Sequence, residues 1–290
     1  MPLRYEVITQ ASVYRERLGE VSKLFSSVFE RRFPASGWEQ WYFGNPYGAP
    51  VVIVGYDGRE MIAHNALIPQ VLMKDGDHTA LEYRLSMSTM VDRHCRHVSV
   101  FEEIVGRLHE WAMGERTGFV AGFPNASSYL PAKVMFGYET LLETPFMSWR
   151  PGAARVGLVI ENLPAVSRAP GEYSYPADAV YWAWRMQDRT AGRVLLNESV
   201  ELAYKVDGPV LTVLDLGIRH RAADAAGLLG GFVRAKGAGE VRLTGHHAGL
   251  ANIPSSECES HENYIVRMTA RALGGEVPQI RFSLLLSDVF

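Results

Sequence analysis

The stretch V-D-R-H-C-R-H-V-S-V-F, residues 91–101, joins a predicted strand to a predicted helix and decides the fold of this chain. Before it, from Leu81 to Val91, mostly apolar side chains recur at every second residue, which is the period of a half-buried strand. After it, from Val98 to Ala112, apolar residues recur at the spacings of a helix of about four turns. A strand that feeds a tight turn and then a helix leaves unpaired backbone N–H groups at the positive end of the helix dipole. The stretch is therefore typical of a pyrophosphate-binding site.

The same junction concentrates positive charge. Arg93 and Arg96 lie in it beside His94 and His97, whereas the whole chain has 29 Lys and Arg against 32 Asp and Glu and a net charge of −3. This balance excludes the strong basic field on which nonspecific nucleic-acid binding depends, so an anionic ligand must be held locally. A solvated basic turn that only caps the helix is the alternative interpretation.

The sequence on either side of the junction predicts a sheet flanked by helices. Residues 12–31 show the apolar stripe of an amphipathic helix. Asp57-Gly58 and Asp75-Gly76 are hairpin turn signals, which place the segment between them and the strand at 81–91 in one antiparallel meander. Downstream, the pattern predicts a short strand at 118–123, a helix across Ala126 to Met135 and a turn at Phe136-Gly137-Tyr138.

The second half of the chain partly repeats this order. Four prolines between residues 151 and 176 indicate a connector. The order then restarts with aromatic residues at 181–185, a hairpin at 204–208, a strand at 210–216, a helix at 222–235, a strand at 241–244, a helix near 264–273 and a strand at 280–286. We therefore predict an α/β (α+β) fold with two domains, each a mixed, mostly antiparallel sheet flanked by helices. The predicted boundaries are 1–145 for the first domain, 146–178 for the connector and 179–290 for the degenerate second copy.

Residues 91–101 also resemble a known family. They look like the coenzyme-A loop of the GNAT superfamily of acyl-CoA-dependent N-acyltransferases, whose pattern is Arg or Gln, two residues, Gly, one residue, then Gly or Ala. Arg96 takes the first place, whereas Ser99 and Phe101 stand where the family has its two small residues. In having a Phe at that place, the loop resembles that of the branch of the superfamily that acylates amino sugars.

A second resemblance lies downstream of the first. Gly122-Phe123-Pro124-Asn125, followed by a helix and Phe136-Gly137-Tyr138, is similar to the later GNAT motif, in which the Asn contacts the cofactor arm. Many members carry a Tyr four residues before that Gly as the general acid. Here Lys133 occupies the place, and Tyr129 is the nearest phenol. The resemblance covers residues 1–145 and implies a catalytic domain there.

The resemblance implies that acetyl-CoA or another acyl-CoA binds at the junction. Its pyrophosphate is expected on the backbone N–H groups of residues 98–101 and on Arg96, and its thioester carbonyl near the backbone of residues 88–90. The full expected binding set is Ser88, Thr89, Met90, Val91, Arg96, His97, Val98, Ser99, Val100, Phe101, Asn125 and Lys133. The second copy lacks this loop at residues 216–222, so it is expected to shape an acceptor pocket or a homodimer instead.

Acyl transfer to an amine needs a base, a polarised carbonyl and an acid for the departing thiolate. His64, on the strand after Asp57-Gly58, is the expected base because its ordinary pKa suits the task. A structural histidine is the alternative. Glu82, acting through water, is the rival base unless it only faces solvent. Tyr129 is the candidate acid.

Other residue clusters predict less. His94-Cys95-x-His97 lacks the spacing of a zinc site and lies in the arginine-containing loop, so neither it nor His246-His247 is expected to bind a metal. The tryptophans at 38, 41, 182 and 184 are expected in the core, with Trp41 or Tyr42 at an acceptor site as the alternative. Cys95 and Cys258 are expected as free thiols in a cytoplasmic protein, because no signal or membrane-spanning segment is evident.

The predicted function is transfer of an acyl group, with acetyl preferred, from acyl-CoA to a primary amine. The preferred acceptor is a nucleotide-linked amino sugar of polysaccharide biosynthesis, which the Phe101 resemblance suggests. A non-catalytic binding or regulatory module and an enzyme acting on another small amine are the alternatives. Transfer of an aminoacyl group from charged tRNA is a third, which the net charge of −3 does not favour.

Overall fold

The chain divides into two compact units in a computed structural model. The structure describes residues 3–74, 79–95, 97–115, 117–152, 158–161, 172–176, 178–187, 190–219, 224–274, 276–281 and 283–284. The first unit comprises Met1–Met73, Thr79–Thr140 and Met268–Pro278, and the second comprises Lys74–His78, Leu141–Arg267 and Gln279–Phe290. The first unit thus includes Met268–Pro278, which the sequence analysis assigns to the second domain.

Strands and helices alternate along the chain. The strands are β1 (Arg4–Ile8), β2 (Val51–Asp57), β3 (Glu60–Lys74), β4 (Ala80–Val91), β5 (Phe119–Gly122), β6 (Glu139–Trp149), β7 (Ile160–Glu161), β8 (Tyr173–Ser174), β9 (Ala191–Leu196), β10 (Val200–Asp207), β11 (Val210–Ile218), β12 (Glu240–Thr244) and β13 (Cys258–Ala272). The helices are α1 (Ala11–Glu16), α2 (Leu18–Phe29), α3 (Ala35–Trp38), α4 (Val98–Gly114), α5 (Ala126–Phe136), α6 (Ala179–Arg185), α7 (Ala225–Ala235) and α8 (Gly245–Leu250).

The first unit is a sheet in the order β1-β2-β3-β4-β5-β13, to which β13 contributes its last five residues. Strands β1 to β4 are antiparallel, and β4 and β5 are parallel. Both faces are covered, because neighbouring residues along β2 and β3 are all buried. Helix α4 packs on one face, where Ile104 and Leu108 meet Ile53 and Val120.

The second unit repeats this arrangement. Its sheet order is β13-β6-β12-β11-β10-β9-β7, with β11 and β12 parallel and β9, β10 and β11 antiparallel. Helix α7 packs on it through Leu229 and Phe232, which are fully buried beside Leu202 and Leu211. The predicted fold class, a mixed and mostly antiparallel sheet flanked by helices, is confirmed.

The largest error of the sequence analysis lies near the carboxyl end. The predicted helix near 264–273 is wrong, because residues 264–272 belong to β13. Val266, Met268 and Ala270 are buried at every second position, which is the period of a strand. Of the predicted strand at 280–286, the described residues show one isolated bridge, between Ile280 and Tyr173. No helix in the described part of the chain is long and apolar enough to cross a membrane.

Candidate active site

The parallel pairing of β4 and β5 ends early and leaves part of β4 uncovered. Only Arg84–Ser86 pair with Val120–Gly122. Strand β4 continues to Val91, whereas the chain leaves β5 at Gly122 for a loop that leads into α5. Among the described residues, no strand pairs with Met87–Met90 on the side opposite β3. We call Met87–Met90 the open edge.

The open edge contains a β-bulge. His64 pairs with Met90 and Ala66 pairs with Met87, so two residues of β4, Ser88 and Thr89, oppose Asn65 alone. Ser88 has φ 51°, in the left-handed region that a residue with a Cβ atom rarely adopts. Bulges bend a strand and redirect its backbone groups, and they are frequent beside active sites. The structure thus places the irregular backbone at the residues where sequence analysis expects the thioester carbonyl.

His64 lies against this bulge and is fully buried. Its Nδ1 is 2.8 Å from the backbone oxygen of Ser88, and its Nε2 is 2.9 Å from the hydroxyl of Tyr14. Burial lowers the pKa of His64 from 6.5 to about 4, because the charged ring would lose its hydration. The ring is therefore neutral at pH 7, and both of its nitrogens have partners.

The elements that precede β2 hold Tyr14 in place. The Nε1–H of Trp38 donates to the Tyr14 hydroxyl over 2.9 Å. Trp38 in turn stacks on Tyr42 with ring centroids 4.4 Å apart. Tyr14 is 1% exposed, and its burial raises its pKa well above the ordinary value. The phenol thus stays protonated and can donate to His64.

Asn65 fastens the bulge from its other side. Its carboxamide oxygen accepts from Thr89 Oγ1 at 3.1 Å, from Ser86 Oγ at 3.3 Å and from the backbone N–H of Ala66 at 2.9 Å. Asn65 is 1% exposed, so these bonds form away from competing water. Two consecutive residues of β3, His64 and Asn65, therefore hold the two bulge residues of β4, Ser88 and Thr89.

Asp92 organises the turn that leaves β4. Its carboxylate accepts from the backbone N–H of His94 and from Ser27 Oγ, both at 2.9 Å. The N–H donor of His94 holds the pKa of this carboxyl below its ordinary value. The turn Arg93–Cys95 that follows is a single 3₁₀ turn. Arg96 lies outside the described residues.

Helix α4 begins without a capping side chain. His97 stands at its N-cap position and makes no side-chain capping hydrogen bond to the described residues. The four helices that follow are each capped, by Asn125, Asp178, Asp224 and Thr244. Ser99 is exposed in the first turn of α4, whereas Val100 is buried and Phe101 is half-buried. The uncapped N-terminus therefore keeps backbone donors and a positive dipole end available to an anion.

Comparison with solved structures identifies the fold of this chain. No family model and no curated protein matches the chain. The GCN5-related N-acetyltransferase of Kribbella flavida is similar with a TM-score of 0.61 and 16% identity, over 93% of this chain and 71% of that one. The corresponding protein of Sphaerobacter thermophilus gives a TM-score of 0.60 and 13% identity, over 96% and 98% of the two chains. A tandem GNAT protein from the clavulanic acid biosynthesis pathway gives a TM-score of 0.59 and 13% identity, over 94% and 100%.

The chain has the GNAT fold. The likeness includes a tandem protein and covers almost the whole chain, which accords with the repeated sheet order of the two units.

In this GNAT fold, two more of the predicted site residues lie at the start of α5. Asn125 caps the helix, and its Oδ1 accepts from the backbone N–H groups of Ser127 and Ser128 at 3.0 and 3.1 Å. Its amide nitrogen is thus the atom left to meet a ligand, by the inventory of an Asn side chain. Tyr129 is half-buried, and its hydroxyl is 2.8 Å from Thr140 Oγ1. The ammonium of Lys133 lies 5.4 Å from the ring of Tyr129.

Glu82 lies apart from these residues. It is exposed on β4, six positions before Ser88, which corresponds to about 20 Å along a strand. Glu82 is the third residue of β4, so it lies near the opposite end of the strand from the open edge. Trp41 and Tyr42 are buried, at 5% and 1% exposure, so neither has a surface to offer to an acceptor in this conformation.

The site contains two residues that the sequence analysis missed. Tyr14 lies on the buried face of its helix, and Asn65 follows His64 within a strand whose neighbours are apolar. Consecutive polar residues in a strand buried on both faces need hydrogen-bond partners, so His64-Asn65 was the available signal. Nothing local indicated Tyr14, because its contact with His64 spans 50 positions.

Proposed function

We propose that this protein is an acyl-CoA-dependent N-acyltransferase. The observation that carries the proposal is the position of the open edge of β4, with its bulge, directly before the uncapped N-terminus of α4. An acyl-CoA has a pyrophosphate, which a helix N-terminus can bind, and a polar arm, which can form hydrogen bonds with the backbone of a strand edge. Similarity in fold to proteins described as N-acetyltransferases supports the same activity.

The described residues fit an acyl-CoA. The first turn of α4, residues 98–101, would hold the pyrophosphate through backbone N–H groups. Arg96, which lies outside the described residues, is expected from the sequence to add positive charge there. The arm would lie along residues 88–91, where successive strand residues offer N–H and C=O groups to alternate edges. The amide of Asn125 and the ammonium of Lys133 would bound its other side. Bound acyl-CoA supplies the activated carbonyl carbon.

The chain's own groups then assist the exchange of bonds. The amine nitrogen forms a bond to the carbonyl carbon as the carbon–sulfur bond breaks, and the negative charge on the carbonyl oxygen is stabilised by backbone N–H groups near Ser88, Thr89 and Met90. The amine loses a proton to solvent water, and the departing thiolate gains one from a donor in the site. Tyr129 is our candidate donor of that proton, since it lies in the helix turn that follows β5.

We further propose an amino sugar, linked to a nucleotide, as the acceptor. The support is the resemblance of Phe101 to the branch that acylates such sugars. The test measures release of the coenzyme A thiol from acetyl-CoA with each member of a panel of amines, which contains amino-sugar nucleotides, polyamines, amino acids and peptides. We expect release with the amino-sugar nucleotides. Turnover of peptides or polyamines without turnover of any amino sugar would refute this acceptor.

Binding tests the proposal before the acceptor is known. Coenzyme A should raise the melting temperature by mass action, because it binds the folded chain alone. Arg96→Glu should abolish the shift, and Arg150→Glu, an exposed arginine of the second unit, is the control that should leave it unchanged. A shift that survives Arg96→Glu would move the site elsewhere.

A binding or regulatory module without turnover is the second candidate. Ser99 and Phe101 favour it, because they replace the small residues of the coenzyme-A pattern in the first turn of α4. Under this alternative coenzyme A stabilises the chain, whereas no amine in the panel releases thiol from acetyl-CoA.

A further inference from the structure

We propose that His64 is a positioning residue, which holds the bulge of β4 in its active form by donating a hydrogen bond to the backbone oxygen of Ser88. Tyr14 fixes the ring for this task. The inference rests on the proposed acyl transfer, and it gives His64 a different role from the proton acceptor that the sequence suggested. Four contacts within the first unit carry it.

The direction of every hydrogen bond in this chain of contacts follows from chemistry. A backbone oxygen only accepts, so Nδ1 of His64 must carry the proton that reaches Ser88. In the neutral ring Nε2 then has a lone pair, which accepts from the Tyr14 hydroxyl. The Tyr14 oxygen accepts from Nε1–H of Trp38, which is a donor only. One tautomer of His64 is therefore fixed from both sides.

The bulge needs such support because its backbone is strained. Ser88 holds φ 51°, and a residue with a Cβ atom keeps that conformation only where its surroundings compensate. His64 binds the oxygen of Ser88, and Asn65 binds the side chain of the next residue, Thr89. Without the His64 bond, Ser88 can relax toward an extended strand. The N–H groups of the open edge would then change direction.

Direct proton transfer by His64 conflicts with the same geometry. The ring has no exposed surface, and it is enclosed by the rings of Tyr14, Trp38 and Tyr42, with centroids 5.9, 5.8 and 6.3 Å away. Its one basic nitrogen already accepts from Tyr14. An amine could reach that lone pair only if Tyr14 and the helix that carries it moved.

Two amide substitutions separate the roles. In His64→Asn the amide nitrogen lies the same number of bonds from Cα as Nδ1, so it can still donate to Ser88. In His64→Gln the amide takes the place of Nε2 and cannot. We expect kcat with acetyl-CoA to fall at least about 100-fold in His64→Gln and His64→Ala, as for a lost oxyanion donor, but less than about tenfold in His64→Asn. KM for acetyl-CoA should change little in all three.

A proton acceptor would give another pattern. His64→Asn would then be as inactive as His64→Ala, and the acidic limb of the pH–rate profile would disappear in both; that result would overturn the proposal. His109 is the matched control, because it is also buried in the first unit with both nitrogens bonded, to Tyr138 and Arg271. His109→Asn and His109→Gln should lower the melting temperature without separating in kcat.

A measurement without acyl donor distinguishes this inference from the proposed function. Amide hydrogen exchange over residues 86–91 should speed up in His64→Gln and His64→Ala but not in His64→Asn. If exchange follows that pattern while the wild-type chain turns over no amine, acyl transfer is wrong and the positioning of the bulge stands. If exchange over 86–91 is the same in all three variants, the positioning role is wrong whatever the activity.

Discussion

The two units have similar strand arrangements but differ along the strand that precedes the main helix, which is β4 in the first unit and β11 in the second. In each, two parallel strands pair over three residues, Arg84–Ser86 with Val120–Gly122 in the first and Val210–Thr212 with Glu240–Arg242 in the second. Past that point the first unit keeps its open edge. In the second unit the carboxyl-terminal segment meets β11 instead: Ser283 Oγ donates to the Leu214 oxygen at 3.3 Å, and Arg281 Nη2 donates to the Leu216 oxygen at 3.2 Å.

The helices that follow differ in the same sense. Helix α4 starts with no side-chain cap among the described residues, whereas α7 starts at Asp224, whose carboxylate accepts from the Gly227 N–H at 2.8 Å. A carboxylate at a helix N-terminus occupies the place that an anion would take and repels it. In the second unit, Arg281 and Ser283 thus occupy the strand edge and Asp224 occupies the helix N-terminus. Within the described residues, the helix N-terminus of the first unit thus has no side-chain cap, and that of the second unit is capped by a carboxylate.

The largest effect is expected from a substitution that removes the contacts of Arg281 in the second unit. Arg281 reaches Asp215 at 3.2 Å, and the two side chains are 15% and 6% exposed. Arg281→Met would leave the Asp215 carboxylate buried without its cation, so we expect the free energy of unfolding to fall by about 3–5 kcal/mol. Urea titration measures it.

Arg150→Met is the control for this substitution, because Arg150 is 70% exposed in its ion pair with Glu240. It should cost less than about 1 kcal/mol. Equal losses in the two variants would show that the segment at 281–284 does not stabilise the second unit.

The next effect concerns the first unit and makes its helix resemble α7. Ser99→Glu places a carboxylate in the first turn of α4, where it favours the helix but opposes a pyrophosphate. We expect the affinity for coenzyme A to fall at least about 100-fold, or about 2.7 kcal/mol, in isothermal titration. Ser99→Gln controls for size. Unchanged affinity in Ser99→Glu would remove the pyrophosphate from this end of the helix.

The buried histidines predict how acid affects the first unit. The folded-state pKa of His64 is about 4, below its value of 6.5 in the unfolded chain, so the unfolded chain binds the proton first. Stability is then complete above pH 6.5 and is lost as the pH falls from there toward 4. Between pH 7 and pH 5 we expect His64 alone to cost about 2 kcal/mol.

His64→Asn should remove that part of the pH dependence. The measurement is the free energy of unfolding in urea at pH 7 and at pH 5, for the wild-type chain and the variant. A wild-type chain and a variant with the same pH dependence would mean that the ring is hydrated and charged in the folded state.

These features differ in how far the sequence could predict them. The change from a period of two to a helical spacing at Val91–Val98 predicted β4, α4 and the turn between them, because both periods are local. Backbone donors were expected near Ser88, but the bulge and its support were not, since Tyr14 and Trp38 reach His64 across long stretches of chain. Strand β13 was mistaken for a helix because Ile265, Met268 and Ala272 recur at helical spacings, whereas the structure buries Val266, Met268, Thr269 and Ala270. The filled edge of the second unit was not predicted, because the contacts of Arg281 and Ser283 with β11 span 65 and 69 positions.

The smallest effect tests which feature keeps an anion out of the second unit. The candidates are the carboxylate of Asp224 and the contacts of Arg281 and Ser283 with β11. Asn caps a helix about as well as Asp, so Asp224→Asn should change the free energy of unfolding by at most about 1 kcal/mol, which is the interaction of the lost charge with the helix dipole. The substitution removes the carboxylate from α7 but leaves Ser283 and Arg281 on β11. Coenzyme A should therefore still fail to bind the second unit. The measurement is isothermal titration of Ser99→Glu/Asp224→Asn, in which the first site is already blocked, against Ser99→Glu alone. Binding that returns in the double variant would mean that the carboxylate of Asp224 alone had excluded the anion, and that the carboxyl-terminal segment leaves enough room beside β11 for a ligand.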